Sequence, residues 1–193
     1  MSTNQSAVDA ALNDAIALAT WLRDLERSDG AVERIATHLA NVLRGGGRVL
    51  TCGNGGSLCD AMHFAEEMSG RFRGDRPALA VQAMADPTHL TCVANDYGFE
   101  RVFSRGVEAW GKAGDALVVF STSGNSPNLI FAVEAARTRG LSVVGLLGRD
   151  GGALKSACDH AIIVPGATPD RIQEVHIKVV HLLIEIIEKK LFE

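Results

Sequence analysis

The chain has little of what marks a membrane, secreted or nucleic-acid-binding protein. No apolar run approaches the roughly 18 residues that a bilayer-spanning helix needs, and Met1–Ala10 lacks the basic-then-apolar order of a secretory signal. The four cysteines (Cys52, Cys59, Cys92 and Cys158) contain no C-x-x-C pair, so four reduced thiols, mostly buried, in a cytosolic protein are expected. No basic run exists, and 19 Lys and Arg against 23 Asp and Glu give a net charge of −4, which argues against nucleic acid or an anionic membrane as partner. Internal repeats, low-complexity tracts and Pro-rich linkers are also missing. The remainder, 47% hydrophobic and 22% charged over 193 residues, reads as one globular domain, 1–193, with a full core.

The first 45 residues predict two helices, Ala7–Glu26 and Ala31–Arg44, the second ended by Gly45-Gly46-Gly47. Short apolar runs then alternate with helical patterns: Arg48–Cys52, a weaker Leu79–Ala83, Asp115–Phe120, Ser142–Leu147 and Ala161–Val164. Such alternation predicts right-handed βαβ units and an α/β fold, a parallel sheet with helices on both faces. The last helix, Asp170 to about Lys190, is apolar nearly all round, so it requires cover from the N-terminal helices of this or another subunit. An oligomer is expected on that ground.

Two Gly/Ser-rich loops fall at carboxyl ends of predicted strands, where open α/β sheets bind ligands. In Ser121-Thr122-Ser123-Gly124-Asn125-Ser126, Ser126 is placed to cap a helix whose first position is Pro127, and no carboxylate neutralises that helix start. Hydroxyls of Ser121, Thr122, Ser123 and Ser126, with free N–H groups and the helix dipole, suit a phosphate; a plain serine-rich turn is the competing reading. Gly53-Asn54-Gly55 opens like a dinucleotide fingerprint, but Leu58 stands at the third glycine position, and neither loop carries the G-K-[ST] of a P-loop. Gly55 and Gly56 point to close backbone approach by an uncharged polyol, with Ser57 and Asp60 forming a capping box.

On the helix after Ser57, His63 and Glu67 stand four apart on one face, while Glu66 points elsewhere. Gln173 and His181 interrupt the apolar last helix; Glu174, His176 and Lys178 fall on its more polar, solvated side. His38, His89 and His160 carry no pattern. A carboxylate, two imidazoles and an amide beside a phosphate cradle suit proton transfer next to the carbonyl of a sugar phosphate.

These loops and helix residues, with Asn95-Asp96-Tyr97-Gly98 and Arg171-Ile172-Gln173-Glu174, closely resemble the bacterial phosphoheptose isomerases of the SIS (sugar isomerase) domain superfamily. The resemblance runs over nearly the whole chain in five ordered motifs. It implies a flavodoxin-like three-layer fold and a cytoplasmic homotetramer, with helices 1–45 at the interface. It further implies conversion of sedoheptulose 7-phosphate to D-glycero-D-manno-heptose 7-phosphate, the first step of ADP-heptose and lipopolysaccharide heptose synthesis. By the same resemblance Ser121, Thr122, Ser123 and Ser126 bind phosphate, and Asn54, Gly55, Gly56, Glu67, Asn95, Asp96 and Gln173 bind the sugar. His63, Glu67, Gln173 and His181 ligate one zinc per subunit, with Glu67 as base and His181 as acid.

Helical spacing qualifies that ligand set. His63 and Glu67 lie about 6 Å apart along their helix, whereas Gln173 and His181 are separated by about 12 Å, so Gln173 is expected to be the labile ligand. A metal-free hydrogen-bonded cluster is the alternative. Two other functions occur in the superfamily: a protein that binds the replication initiator DnaA, lacking the carboxylate and imidazole equivalent to Glu67 and His181, and sugar-phosphate sensors, usually joined to a DNA-binding domain.

Overall fold

The computed structural model describes residues 3–193. Two helices lead, α1 (Thr3–Asp29) and α2 (Ala31–Arg44). There follow β1 (Val49–Gly53), α3 (Gly56–Ser69), β2 (Val81–Ala83), α4 (Pro87–Tyr97) and α5 (Val102–Trp110). The chain ends with β3 (Ala116–Ser121), α6 (Pro127–Arg139), β4 (Ser142–Gly148), β5 (His160–Val164) and α7 (Pro169–Phe192). The strands and most helices are those expected from periodicity. Helices α4 and α5 fill a stretch for which no element was expected, although Asp86, which accepts from the His89 N–H at 2.8 Å, and Pro87 mark the α4 start plainly.

All five strands are parallel in the order β2-β1-β3-β4-β5. The chain moves outward from β1 to β2, then crosses back to lay β3 on the other side of β1. The order therefore reverses between β1 and β3, which opens a crevice beyond their carboxyl ends. Gly53 pairs with Phe120, so the loops after β1 and β3 leave the sheet side by side.

Every residue of β1 and β3 is buried, because helices cover both faces. Val118 and Phe120 turn to the layer holding Ile35, Phe64, Met68 and Leu183; Leu117 and Val119 turn to the layer of Phe103, Val107 and Leu129. Helix α7 buries Ile172, Val175, Val179, Val180, Leu183, Ile184 and Ile187 against α1, α2 and α3 of its own chain. Its apolar girth thus needs no second subunit. His176, expected to be solvated, is fully buried. It lies on the sheet-facing stripe with Ile172 and Val179, its Nε2–H donating to the Leu147 carbonyl at 3.1 Å and its ring edge-on to Phe120. Burial holds its pKa down at about 4 despite that hydrogen bond.

Contacts between α3 and α7 advance in step: Ser57 with Gln173, His63 with His181. Arg76 closes the far end, donating to the Glu67 and Met68 carbonyls at 2.8 Å and to Glu188 of α7 at 2.7 Å. The two helices lie parallel and facing. The thiols are all free, but Cys59 and Cys92 are exposed, Cys158 half-buried and only Cys52 buried, which corrects the expectation of mostly buried cysteines.

Candidate active site

The loop after β3 is knitted by its own groups. The Ser121 hydroxyl accepts the Gly124 N–H at 3.0 Å, and the Ser123 hydroxyl accepts the Asn125 N–H at 3.2 Å. Asn125 Oδ1 accepts the Ala153 N–H, and the Gly124 carbonyl accepts the Leu154 N–H. Gly124 has φ 65°, and a side chain there would strike the Gly151 backbone. The Ser121 and Ser123 hydroxyls keep their protons for an outside acceptor. Ser126 occupies the N-cap position of α6, but its hydroxyl makes no cap; its carbonyl takes the Leu129 and Ile130 N–H groups instead. The Ser126 hydroxyl therefore remains free for a ligand, as does that of Thr122.

The loop after β1 differs from its sequence reading at one point. Helix α3 starts at Gly56 with Gly55 as N-cap, φ 55°, and no side chain caps it, so Ser57 and Asp60 form no capping box. The Ser57 hydroxyl instead faces the Gln173 amide at 3.4 Å, and Gly56 lies so close that a Cβ would stand 2.7–2.9 Å from that amide. Asp60 is 9% exposed, with one carboxylate oxygen unpartnered. Desolvation, opposed by nearby His63, raises its pKa to about 6.

Two turns along α3, the expected chemical groups converge. His63 Nε2 stands 3.0 Å from His181 Nε2 and 3.6 Å from Glu67 Oε1. Glu66, set aside in the sequence reading, lies 3.4 Å from His63 Nδ1, so it also pairs with that imidazole. Exposure separates the two carboxylates: Glu67 is 19% exposed and turned to the cluster, Glu66 64% exposed and outermost. Ligand atoms of His63, Glu66 and Glu67 all lie within 4.8 Å of one another. His181 stacks on Phe72 with ring centroids 5.8 Å apart. Burial first, then His63, holds the His181 pKa below its ordinary value, with Glu67 opposing.

The donor set fits a zinc ion. Two imidazoles bound at about 2.0–2.1 Å and a tetrahedral angle would set their nitrogens roughly 3.3 Å apart, close to the separation found. The His63–Glu66 contact has the arrangement of an outer carboxylate orienting a ligand imidazole. A direct hydrogen bond between the rings gives the same separation without metal. Gln173 does not join this cluster: its amide lies at the start of α3, about 9 Å along the axis from His63 at ~1.5 Å per residue. Asn95 and Asp96 sit exposed at the end of α4, where the Asn95 amide donates to Asp96 at 2.8 Å rather than to either loop.

A cavity of about 460 Å³ touches both loops, through Asn54 on one side and Ser126 and Pro127 on the other, with Phe99, Glu100, Asn128 and Phe131 completing its wall. None of these last four was legible as a site residue. Asn128 carried a faint signal, a polar side chain in the first turn of a helix behind a candidate phosphate loop.

Comparison with known proteins places the chain by its sequence and its fold. The SIS domain sequence pattern matches residues 15–148. The phosphoheptose isomerase of Fusobacterium nucleatum is 58% identical over 160 residues, 83% of this chain and 82% of that protein. That of Klebsiella pneumoniae is 52% identical over 189 residues, 97% of each. A solved phosphoheptose isomerase from Neisseria gonorrhoeae superposes with a TM-score of 0.90 at 40% identity, covering 97% of this chain and 100% of that one. With two loops at the switch point, an imidazole–carboxylate cluster two turns along the helix that follows the first of them and this likeness over nearly its full length, the chain belongs to the phosphoheptose isomerase family of SIS-domain proteins.

Proposed function

We propose that the protein interconverts sedoheptulose 7-phosphate and D-glycero-D-manno-heptose 7-phosphate, the step that opens ADP-heptose synthesis for lipopolysaccharide. The convergence of His63, Glu67 and His181, two turns along α3 from the loop after β1, carries this reading. The hydroxyls of Ser121, Thr122, Ser123 and Ser126 and the α6 N-terminus hold the phosphate. Asn54, Gly55, Gly56 and Gln173, with Asn95 and Asp96, hold the sugar. Starting from the ketose, Glu67 removes a proton from carbon 1 while His181 protonates the carbonyl oxygen on carbon 2. From the enediol, the proton returns to carbon 2 as the oxygen on carbon 1 gives up its own. One zinc per subunit would be held by His63, Glu67 and His181, with Gln173 outside the ligand set, and would supply a Lewis acid for a developing oxyanion.

A homotetramer is part of the same reading. Val8, Leu12 and Ile16 form an exposed apolar stripe along α1, and a cleft of about 530 Å³ further along that helix has Leu22, Val32 and Leu182 among charged side chains of α1, α2 and α7. The N-terminal helices of a single domain are then the interface. The cytoplasm is the compartment for a phosphorylated substrate that does not cross membranes; no helix of the described residues is long and apolar enough to cross one itself. The DnaA-binding and sensor alternatives give no use to a clustered base and acid. Incubation with sedoheptulose 7-phosphate followed by NMR should show the aldose appear; an unchanged ketose spectrum overturns the isomerase reading.

A further inference from the structure

Apart from the strand ladder, one hydrogen-bonded link joins the two ligand loops among the described residues. Asn54 Nδ2 donates to Asn128 Oδ1 at 2.9 Å, and Asn128 Nδ2 donates back to Asn54 Oδ1 at 2.8 Å. The partners are 74 residues apart. Asn54 follows β1; Asn128 is the second residue of α6 and only 3% exposed. Two amides set edge to edge form a closed two-bond ring, which fixes both side-chain torsions at once. Breaking it would leave the Asn128 amide buried without its partner.

We propose that Asn128 is a positioning residue for isomerisation, a clasp that holds the sugar loop at a fixed distance from the phosphate cradle. Each amide spends one N–H and one lone pair on the other. Asn54, half-buried and lining the cavity beside Ser126, keeps one N–H, which the clasp holds in one direction toward a sugar hydroxyl. Phosphate bound at α6 and sugar bound after β1 are then held as one rigid unit. Binding energy from the phosphate end becomes available to orient carbons 1 and 2 at Glu67. Asn128 itself need touch neither the reacting carbons nor the phosphate. The inference rests on the isomerase reading for its kinetic form, while the clasp can be tested by binding as well.

The test is a double-mutant cycle on Asn54→Ala, Asn128→Ala and the double variant, with kcat, KM, the inhibition constant of inorganic phosphate and the melting temperature read for each. Asn128→Ala should lower kcat/KM by about 10- to 100-fold, as small misplacements do. Inorganic phosphate should bind within about twofold of wild type, because the cradle hydrogen bonds remain. In the Asn54→Ala background, Asn128→Ala should change kcat/KM by less than about twofold, because groups acting as a unit are not additive. Multiplying effects, or a parallel loss of inorganic phosphate affinity, would overturn the clasp. If Asn128→Ala yields no folded protein, Asn128→Ser keeps a polar group but cannot form both bonds and serves the same cycle. An active wild type with a multiplicative cycle sinks the clasp alone. A wild type that does not turn over sedoheptulose 7-phosphate sinks the isomerase reading, and the cycle read on sugar-phosphate affinity by calorimetry still decides the clasp.

Discussion

The two ligand loops leave neighbouring strands but are built on opposite plans. The loop after β3 is self-supporting: its serines accept its own N–H groups, Asn125 and Gly124 fasten it to the segment at Ala153–Leu154, and its helix start stays open. The loop after β1 leans on distant elements, on α6 through Asn128 and on α7 through Gln173, and its helix carries His63 and Glu67 to meet His181 of α7. An anion needs a preformed cradle of donors. Proton transfer needs groups from different helices brought within hydrogen-bond reach, which a self-contained loop cannot supply.

The largest effects should separate the chemical side from the cradle. Glu67→Gln and His181→Gln should each lower kcat by about 10²–10⁴-fold with folding and assembly intact; near-normal turnover in either variant removes that residue from the mechanism. Dialysis against a chelator, followed by metal analysis, an assay and a thermal melt, should remove zinc, activity and several degrees of stability together. Full activity in zinc-free protein would leave a metal-free proton shuttle.

Two glycines sharpen the contrast. Gly124→Ala forces a Cβ into backbone at positive φ and should cost about 2–3 kcal/mol of stability, measured by denaturant unfolding. Gly56→Ala meets only the end of the Gln173 side chain, so it should change stability by less than about 1 kcal/mol and raise KM instead. Equal stability losses at the two positions would break the comparison. Ser126→Ala should raise KM about 5- to 10-fold for the loss of one hydroxyl donor, with a smaller change in kcat; a substrate-soaked crystal with the phosphate elsewhere would contradict it.

A further effect shows only in acid, at His176 beneath the ends of β3 and β4. His176 stays neutral down to about pH 4 when folded, against an ordinary value of 6.5, so the unfolded chain takes up its proton first. Its contribution to stability is complete above about pH 6.5 and is lost as pH falls through about 4. His176→Gln, which can still donate to the Leu147 carbonyl, should flatten the fall in melting temperature across that window.

Much of this was legible in the residues. Short apolar runs between helical patterns gave the five strands, and Pro127 behind a serine-rich run marked the α6 start. Misreadings came where a neighbour far along the chain decided the outcome. Ser57 reads as a cap until Gln173 arrives beside it, and His176 reads as solvated until Leu147 and Phe120 cover it. The long apolar face of α7 reads as needing cover from the N-terminal helices of this or another subunit, and α2, with α3, supplies it within the chain.

By itself the sequence determined much of what period and short spacing carry: the strands, the start of α6, the two loops, and the pairing of His63 with Glu67 one turn apart. Only the tertiary structure decided that His63 meets His181 across 118 residues, that Asn54 meets Asn128 across 74, and that Gln173 goes to the loop rather than to the imidazoles. The physical reason is that hydrophobic periodicity fixes which face of an element is buried but not which buried face lies opposite. Strand order and the packing of parallel α3 against α7 supply that second half.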